Sequence, residues 1–381
     1  MTAALDKVRV LDFSRVLAGP FATMLLADLG ASVVKVERPG VGDDTRSWGP
    51  PFDAGGRATY FESVNRNKRS IALDLGDPED LATAARLARE ADVVVENFRP
   101  GVMERYGLGY DELRVDCAGV ICCSITGFGR GPGAGLPGYD LLVQAVGGLM
   151  SITGAPEGEP TKVGVALVDV LAGLFATVGI LAALRHRDRT GEGQRVDVEL
   201  LSALLAALVN QGSGYTVGGA VPARLGNLHP SIAPYELLRC ADGELVLAVG
   251  TDDQFRALVE TIGAPDLAAD ARFQGNAARV ENRAVLREAL TARLGQRPAA
   301  DWVAALAAAR VPAGTVNDVA EAFRFAERLG LAPLVALDRE DGSAVALTRN
   351  PIGLSRTPAA YRTAPPALPG HVEPRGAARF A

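Results

Sequence analysis

The sequence predicts an α/β fold with a parallel sheet covered on both faces, and a second, smaller domain after it. Three observations carry that expectation: the chain opens as β-α-β, strand-like and helix-like segments go on alternating through the first 200 residues, and 381 residues exceed the usual size of one domain. Parallel strands need helical crossovers, and those crossovers cover the sheet.

Residues 8–13 (VRVLDF) read as a buried strand, 18–29 (AGPFATMLLADL) as an amphipathic helix opened by Pro20, and 32–38 (SVVKVER) as a second strand. After a Gly- and Pro-rich loop (39–59) come a short strand, SIALDL (70–75), and a helix from Asp77 to Glu90 with Pro78 at its first position. ADVVVEN (91–97) and GVICCSIT (119–126) are further strands, separated by the FRPG turn and a short helix. GFGRGPGAGLPG (127–138) is a loop and YDLLVQAVGGLM (139–150) a helix; a long apolar helix, the strand QRVDVEL (194–200) and a helix to about Tyr215 complete the first part. TVGGAVPARLGNLHP (216–230) reads as a linker. Beyond it ELVLAVG (244–250) is a strand, DQFRALVETIG and ENRAVLREALTARLG are amphipathic helices, and a Pro- and Arg-rich tail from about 330 is expected to return over the first domain. The expected boundaries are 1–200 for the large domain, 201–225 for a connecting helix and loop, 226–328 for the small domain and 329–381 for the tail.

Hydrophobic residues make up 48% of the chain, enough for a substantial core, and the net charge of -6 argues against general binding to nucleic acid or to an anionic membrane. The amino-terminal MTAALDKVRVLDF lacks a signal-like apolar core, which suggests a cytoplasmic protein. Cys117, Cys122, Cys123 and Cys240 show no CxxC spacing, and His186, His229 and His371 no metal-ligand pattern. Neither disulfides nor a metal cofactor are expected.

The run 163–184 (VGVALVDVLAGLFATVGILAAL) contains one charged residue, Asp169. Taking an ionised carboxylate out of water costs several kcal/mol unless it is compensated, so its isolation makes Asp169 the leading catalytic candidate. Other readings stand beside it: a transmembrane helix, an Asp capping a helix that begins near Val170, or an ion pair with a distant Arg.

The opening strand leads into SRVLAGP rather than GxGxxG, and there is no GxxxxGK[ST], so neither a dinucleotide fingerprint nor a P-loop is present. Arg15, Arg38, Arg99 and Arg105 follow predicted strands, at the sheet end where α/β proteins bind ligands, and Arg66, Lys68 and Arg69 precede another strand. Guanidinium groups bind phosphate and stack on adenine; a ligand with both would suit them, as solvated surface charge would also explain them.

The ordered motifs DFSRVLAGP (12–20), LADLGASVVKVERPG (26–40), DDTRSWGPPF (43–52), NRNKRSIALDL (65–75), ENFRPGVMERYGLGY (96–110), SITGFG (124–129), GYDLLVQAVGGLMSITG (138–154) and VALVDVLAGL (165–174) resemble the class III CoA-transferases, the CaiB/BaiF type, which include the α-methylacyl-CoA racemases. GNLHPSIAPYELLRCADG (226–243) and VPAGTVNDVAEAF (311–323) extend the resemblance over nearly the whole chain. It implies a Rossmann-like large domain, a smaller α+β domain and an interlocked homodimer acting on acyl-CoA and carboxylic acids. Asp169 matches the nucleophile. Coenzyme A contacts match Arg15, Val16, Leu17, Ala18, Arg38, Leu73, Asp74, Leu75, Gly76, Asn97, Phe98, Arg99, Arg105, Tyr139 and Asp140. Gly250 occupies the place of a loop that closes over the site, and Trp48 that of a gating aromatic.

Two departures narrow the activity. The racemases carry His where this chain has Tyr139, and a phenol with a pKa of about 10 is a poor proton-transfer base, so transfer is favoured over racemisation. Formyl-CoA:oxalate transferases carry Gln where this chain has Leu17, which argues against oxalate. The segment DDTRSWGPPF with NRNKRS looks most like the branch that moves CoA from succinyl-CoA to dicarboxylic acids such as glutarate; Arg46 would then hold the acceptor's distal carboxylate, with His229 and Lys162 as weaker candidates. An Asp, with a reference pKa near 3.9, is expected to be ionised at pH 7 without a helper base. An acyl-CoA racemase and a non-catalytic acyl-CoA-binding protein are the competing readings. The family's usual GQHT and last helix are replaced by the short ending GHVEPRGAARFA, which is expected to weaken dimer packing.

Overall fold

A computed structural model describes residues 3–368 and Phe380. His371 and most of the short closing segment lie outside the described residues. In chain order the first elements are β1 (Arg9–Asp12), α1 (Ala18–Asp28), β2 (Ser32–Glu37), α2 (Thr59–Ser63), β3 (Lys68–Ala72), α3 (Pro78–Glu90), β4 (Val93–Glu96), α4 (Val102–Arg105) and α5 (Tyr110–Asp116). They are followed by β5 (Ile121–Thr126), α6 (Asp140–Val146), α7 (Leu149–Ile152), α8 (Leu167–Thr190), β6 (Arg195–Glu199), α9 (Leu200–Ala207) and α10 (Val209–Thr216). Their strands form one parallel sheet in the order β3-β2-β1-β4-β5-β6, with Leu11 of β1 in register with Val34 on one side and Val94 on the other.

Each face of this sheet has its own apolar core. One unites β1, β4 and β5 with α1, α8 and α9; the other packs Leu11, Val34 and Val94 against Leu87 of α3 and Leu113 of α5. Sheet and α8 together enclose α1, where every residue but Phe21 is buried. The expected amphipathic character of that helix is therefore corrected, and Pro20 stands at its third position rather than its first.

The long apolar run becomes α8, ended by Gly191 at φ +79°, a left-handed C-cap that glycine adopts without penalty. Val168, Ala172, Ala176 and Ile180, four residues apart, point into the core with no exposed surface. Its length and apolarity, which match a membrane span, are thus used in part for core packing on the sheet. Small residues allow a close approach: a Cβ on Gly173 would lie 2.6 Å from the carbonyl oxygen of Ala18 at the start of α1. Gly173→Ala is accordingly expected to destabilise the fold by about 1–3 kcal/mol through overpacking, read as a lower urea midpoint.

The chain divides into two compact units, one drawn from 1–149, 162–221 and 332–381, the other from 150–161 and 222–331. The segment 150–161 therefore groups with the second unit, not with the large domain where sequence reading put it. The second unit holds the antiparallel β7 (Tyr235–Arg239), β8 (Glu244–Ala248) and β9 (Ala313–Thr315), with α11 (Asp252–Thr261), α12 (Asp266–Ala269), α13 (Asn276–Glu281), α14 (Arg283–Leu294), α15 (Ala299–Ala308) and α16 (Val319–Arg328). The hairpin β10 (Leu334–Asp338) and β11 (Ala344–Thr348) belongs to the first unit, where Arg66 donates to the Thr348 carbonyl.

Candidate active site

Loops that leave the carboxyl ends of β1 to β5 surround a cleft of about 610 Å³ in the first unit. The strand order reverses between β1 and β4, and crevices at such points are where open α/β sheets bind ligands. Of the expected coenzyme A contacts, Arg15, Val16, Leu17, Ala18, Arg38, Leu73, Asp74, Leu75, Asn97, Phe98, Arg99 and Tyr139 line this cleft together with Asp169. Gly76, Arg105 and Asp140 are not part of its lining.

The β1–α1 loop is clamped residue by residue. Ser14 donates its N–H to Asp12 at 2.9 Å, and its hydroxyl also bonds Asp12. Asn97, just beyond β4, accepts from the Arg15 N–H at 2.9 Å and donates to the Arg15 carbonyl at 2.7 Å, tying the loops on both sides of the crevice. Val16 has φ +71°, a conformation that costs a β-branched residue about 1–3 kcal/mol and persists only when its surroundings enforce it. Asp43 supplies that constraint by accepting from the Val16 N–H at 3.2 and 3.3 Å.

Beneath the loop lie charges that sequence reading did not find. Lys35 and Asp43 form an ion pair of 2.9 Å with both side chains fully buried, and Lys35 also donates to the Ser14 carbonyl at 2.7 Å. Burial opposes the Lys35 charge, but the carboxylates of Asp12, Asp43 and Glu37 outweigh it and hold the ammonium pKa above its ordinary value. Lys68 bonds Asp12, the Pro20 carbonyl and Asn65, while burial pulls it down to about 8. Arg66 is likewise buried, on Asp28. The expectation that Arg66 and Lys68 meet a phosphate is therefore corrected: both are spent on acids within the fold.

The cations that do reach the cleft are Arg15, Arg38 and Arg99. Arg15 lies over the Phe98 ring at 5.1 Å, and both Arg15 and Arg38 flank Asp44, at 3.5 and 2.6 Å. Arg99 is exposed and has no ion-pair partner among the described residues. The glycine loop of 127–138 forms another wall, where Gly127 and Gly138 approach so closely that a Cβ on either would strike the other's backbone.

Asp169 lies within the first turn of α8, which starts at Leu167. The helix is capped instead from α6: Asp140 accepts from the Val168 N–H at 2.8 Å and faces the Asp169 N–H at 3.4 Å. Gln144 steadies this cap, donating to Asp140 at 2.6 Å and accepting from the Val163 N–H at 2.9 Å. The cap and ion-pair readings of Asp169 do not survive, since Ala166 is the N-cap and Asp169 pairs with no cation among the described residues. Burial, and secondly the charge of Asp140, push its carboxyl up to about 7. The expectation of full ionisation at pH 7 is thus corrected to roughly half in the unliganded protein.

Tyr60, which no spacing rule marks, feels the charge of the same acids. Burial first, then Asp169, Asp140 and Asp43, raise its phenol to about 12, so it remains a hydrogen-bond donor. Trp48 packs edge-on against Tyr60 with ring centroids 5.5 Å apart. Arg46 does not present its guanidinium to the cleft: both arms are held by Glu37 at 2.7 Å, its plane lies 3.6 Å from the Phe61 ring centroid, and it donates to the Pro366 carbonyl. The expected acceptor contact is corrected accordingly. Gly250 belongs to the second unit, where its N–H bonds the Gln254 side chain, and His229 is there too, packed against Tyr235. Lys162 is exposed, with its ammonium on the Val163 carbonyl.

The description CoA-transferase family III attaches to a family model that matches residues 5–372. The succinate–glutarate CoA-transferase of Agrobacterium fabrum is 45% identical over 96% of this chain and 93% of its own. The acetyl-CoA:oxalate CoA-transferase of Acetobacter aceti is also 45% identical, over 83% of this chain and 82% of its own. A CaiB/BaiF family protein from Brucella suis has a solved structure that superposes with a TM-score of 0.85 at 43% identity, covering 97% of each chain. With a clefted parallel sheet, an acid at the head of α8 and matches that run nearly end to end, this chain belongs to CoA-transferase family III.

Proposed function

We propose that the chain moves CoA from succinyl-CoA to a dicarboxylic acid through covalent intermediates on Asp169. The observation that carries this reading is the nucleophile's setting: the Asp169 carboxyl, largely buried and without a cationic partner among the described residues, on a cleft that also presents Arg15, Arg38 and Arg99. The 45% identity to the succinate–glutarate enzyme supports the choice of acids. Equal identity to an oxalate enzyme makes the acceptor a matter for assay.

The ionised Asp169 attacks the donor thioester carbonyl, and the C–S bond breaks to give an aspartyl-acyl anhydride and CoA thiolate. The thiolate attacks the aspartyl carbonyl and releases the donor acid, leaving an aspartyl-CoA thioester. The acceptor carboxylate displaces CoA from that thioester to form a second anhydride, and the returning thiolate cleaves it to the product thioester and free Asp169. Each oxyanion needs fixed donors. Leu17, the N-cap of α1, and Ala18, its first residue, line the same cleft, and their N–H groups have no hydrogen-bond acceptor among the described residues.

A homodimer is part of the reading. Leu174, Phe175 and Val178 on α8 and Val209 and Tyr215 on α10 stay exposed, and α16 buries none of its residues despite a marked apolar side. Surfaces of that kind are covered by partners.

Brief incubation with succinyl-CoA followed by intact-mass measurement tests the mechanism. A covalent acyl or CoA adduct is expected on the parent and none on Asp169→Asn. No adduct with any acyl-CoA, together with exchange of the acyl α-proton into solvent, would replace transfer by racemisation.

A further inference from the structure

We infer that Asp43, braced by Lys35, is a positioning residue for transfer: it holds Val16 in its left-handed conformation and so fixes the stretch of cleft wall that faces Asp169. The inference rests on the reading of Asp169 as nucleophile. It adds a role for two buried residues that touch no reacting atom.

The geometry makes the role specific. Asp43 spends both oxygens on Val16, and one of them also receives the N–H and hydroxyl of Thr45, at 3.0 and 2.8 Å. Its other partner is the Lys35 ammonium, whose second bond goes to the carbonyl of Ser14, two residues before Val16. One buried cation thus braces the loop directly at Ser14 and through Asp43 at Val16. Glu37 joins the same frame: it accepts from the Asp43 N–H at 2.8 Å and grips Arg46, so Arg46 also supports the wall. From Val16 the chain passes straight into α1, whose Ala18 carbonyl abuts Gly173, one helical turn beyond Asp169. A change of φ at Val16 would therefore redirect the Leu17 and Ala18 N–H groups relative to the nucleophile.

The test is a double-mutant cycle on the full-length enzyme with Asp43→Asn and Val16→Gly. Glycine adopts positive φ without strain, so it lessens the need for the clamp. Asp43→Asn is expected to lower kcat about 10- to 100-fold, the scale of a misplaced reacting group, with the acyl-CoA KM changed less than about 3-fold. In the Val16→Gly background the same substitution is expected to cost at least about fivefold less. If Asp43→Asn does not fold, Thr45→Val, which removes only the hydroxyl bond to Asp43, takes its place with a smaller fall in kcat and the same relief by Val16→Gly. An unchanged kcat, a change confined to KM, or equal losses in both backgrounds would overturn the inference. Asp169→Asn is run in parallel: transfer surviving in that variant would refute the nucleophile reading, whereas its loss beside a normal Asp43→Asn would refute only the positioning role.

Discussion

Asp169→Asn is expected to lose at least about a thousandfold in CoA transfer and, above pH 7, to resist denaturation better than the parent. The first effect is the loss of the proposed nucleophile; the second follows from the fold holding this carboxyl near 7 against an ordinary value of 3.8. Below about pH 4 the group is protonated in folded and unfolded chains alike, and it costs nothing. Between 4 and 7 the unfolded chain releases the proton while the folded chain keeps it, so stability falls as pH rises. Above 7 the full penalty is present: a rise of about three units corresponds to roughly 4 kcal/mol, and partial solvent contact reduces it to about 2–4 kcal/mol. Asn carries no charge and escapes it. Urea midpoints of parent and variant should coincide at about pH 3 and separate progressively up to pH 8, with the variant higher. A pH-independent difference would show that the carboxyl is not destabilised by burial. On the proposed mechanism the destabilised group is the one that reacts, since covalent capture would remove the very charge that burial disfavours.

Asp169 was legible in the sequence because a lone acid in an apolar run is conspicuous without any knowledge of its neighbours. The cleft-lining loops were legible for a similar reason: each follows an apolar strand directly, and chain direction alone places Arg15, Arg38 and Arg99 at one end of a parallel sheet. What was hidden depends on pairs distant in sequence. Arg66 meets Asp28 across 38 positions and Lys68 meets Asp12 across 56, so cations that looked available for phosphate are consumed inside the fold. Arg46 was misread because its acid, Glu37, sits at the end of a strand and showed no pairing signal. Tyr60 had no motif around it. Helix ends were blurred for local reasons: the helix predicted at 139–150 is broken at Gly147 and Gly148, and the one to Tyr215 at Val209, which has φ +43°.

Asp140→Asn should shift the acidic limb of the kcat/KM–pH profile toward lower pH by about half to one unit. For a nucleophile that must ionise, that limb reports the Asp169 carboxyl in free enzyme, with a midpoint near 7 in the parent. Burial is the larger cause of the elevation and is unaffected by the substitution; the neighbouring charge is the smaller cause and is removed. The limb therefore moves part of the way, not back to 3.8. An Asn oxygen can still accept from the Val168 N–H, so the cap on α8 persists, whereas Asp140→Ala would lose it at a cost of about 1 kcal/mol. Comparing the two separates charge from capping: both should move the limb, and only Ala should lower the urea midpoint appreciably. A limb that stays at its parental pH in both variants would assign the elevation to burial alone. A limb that moves in Ala but not in Asn would trace it to the geometry of the first turn, because only Ala leaves the N–H groups of Val168 and Asp169 without their acceptor.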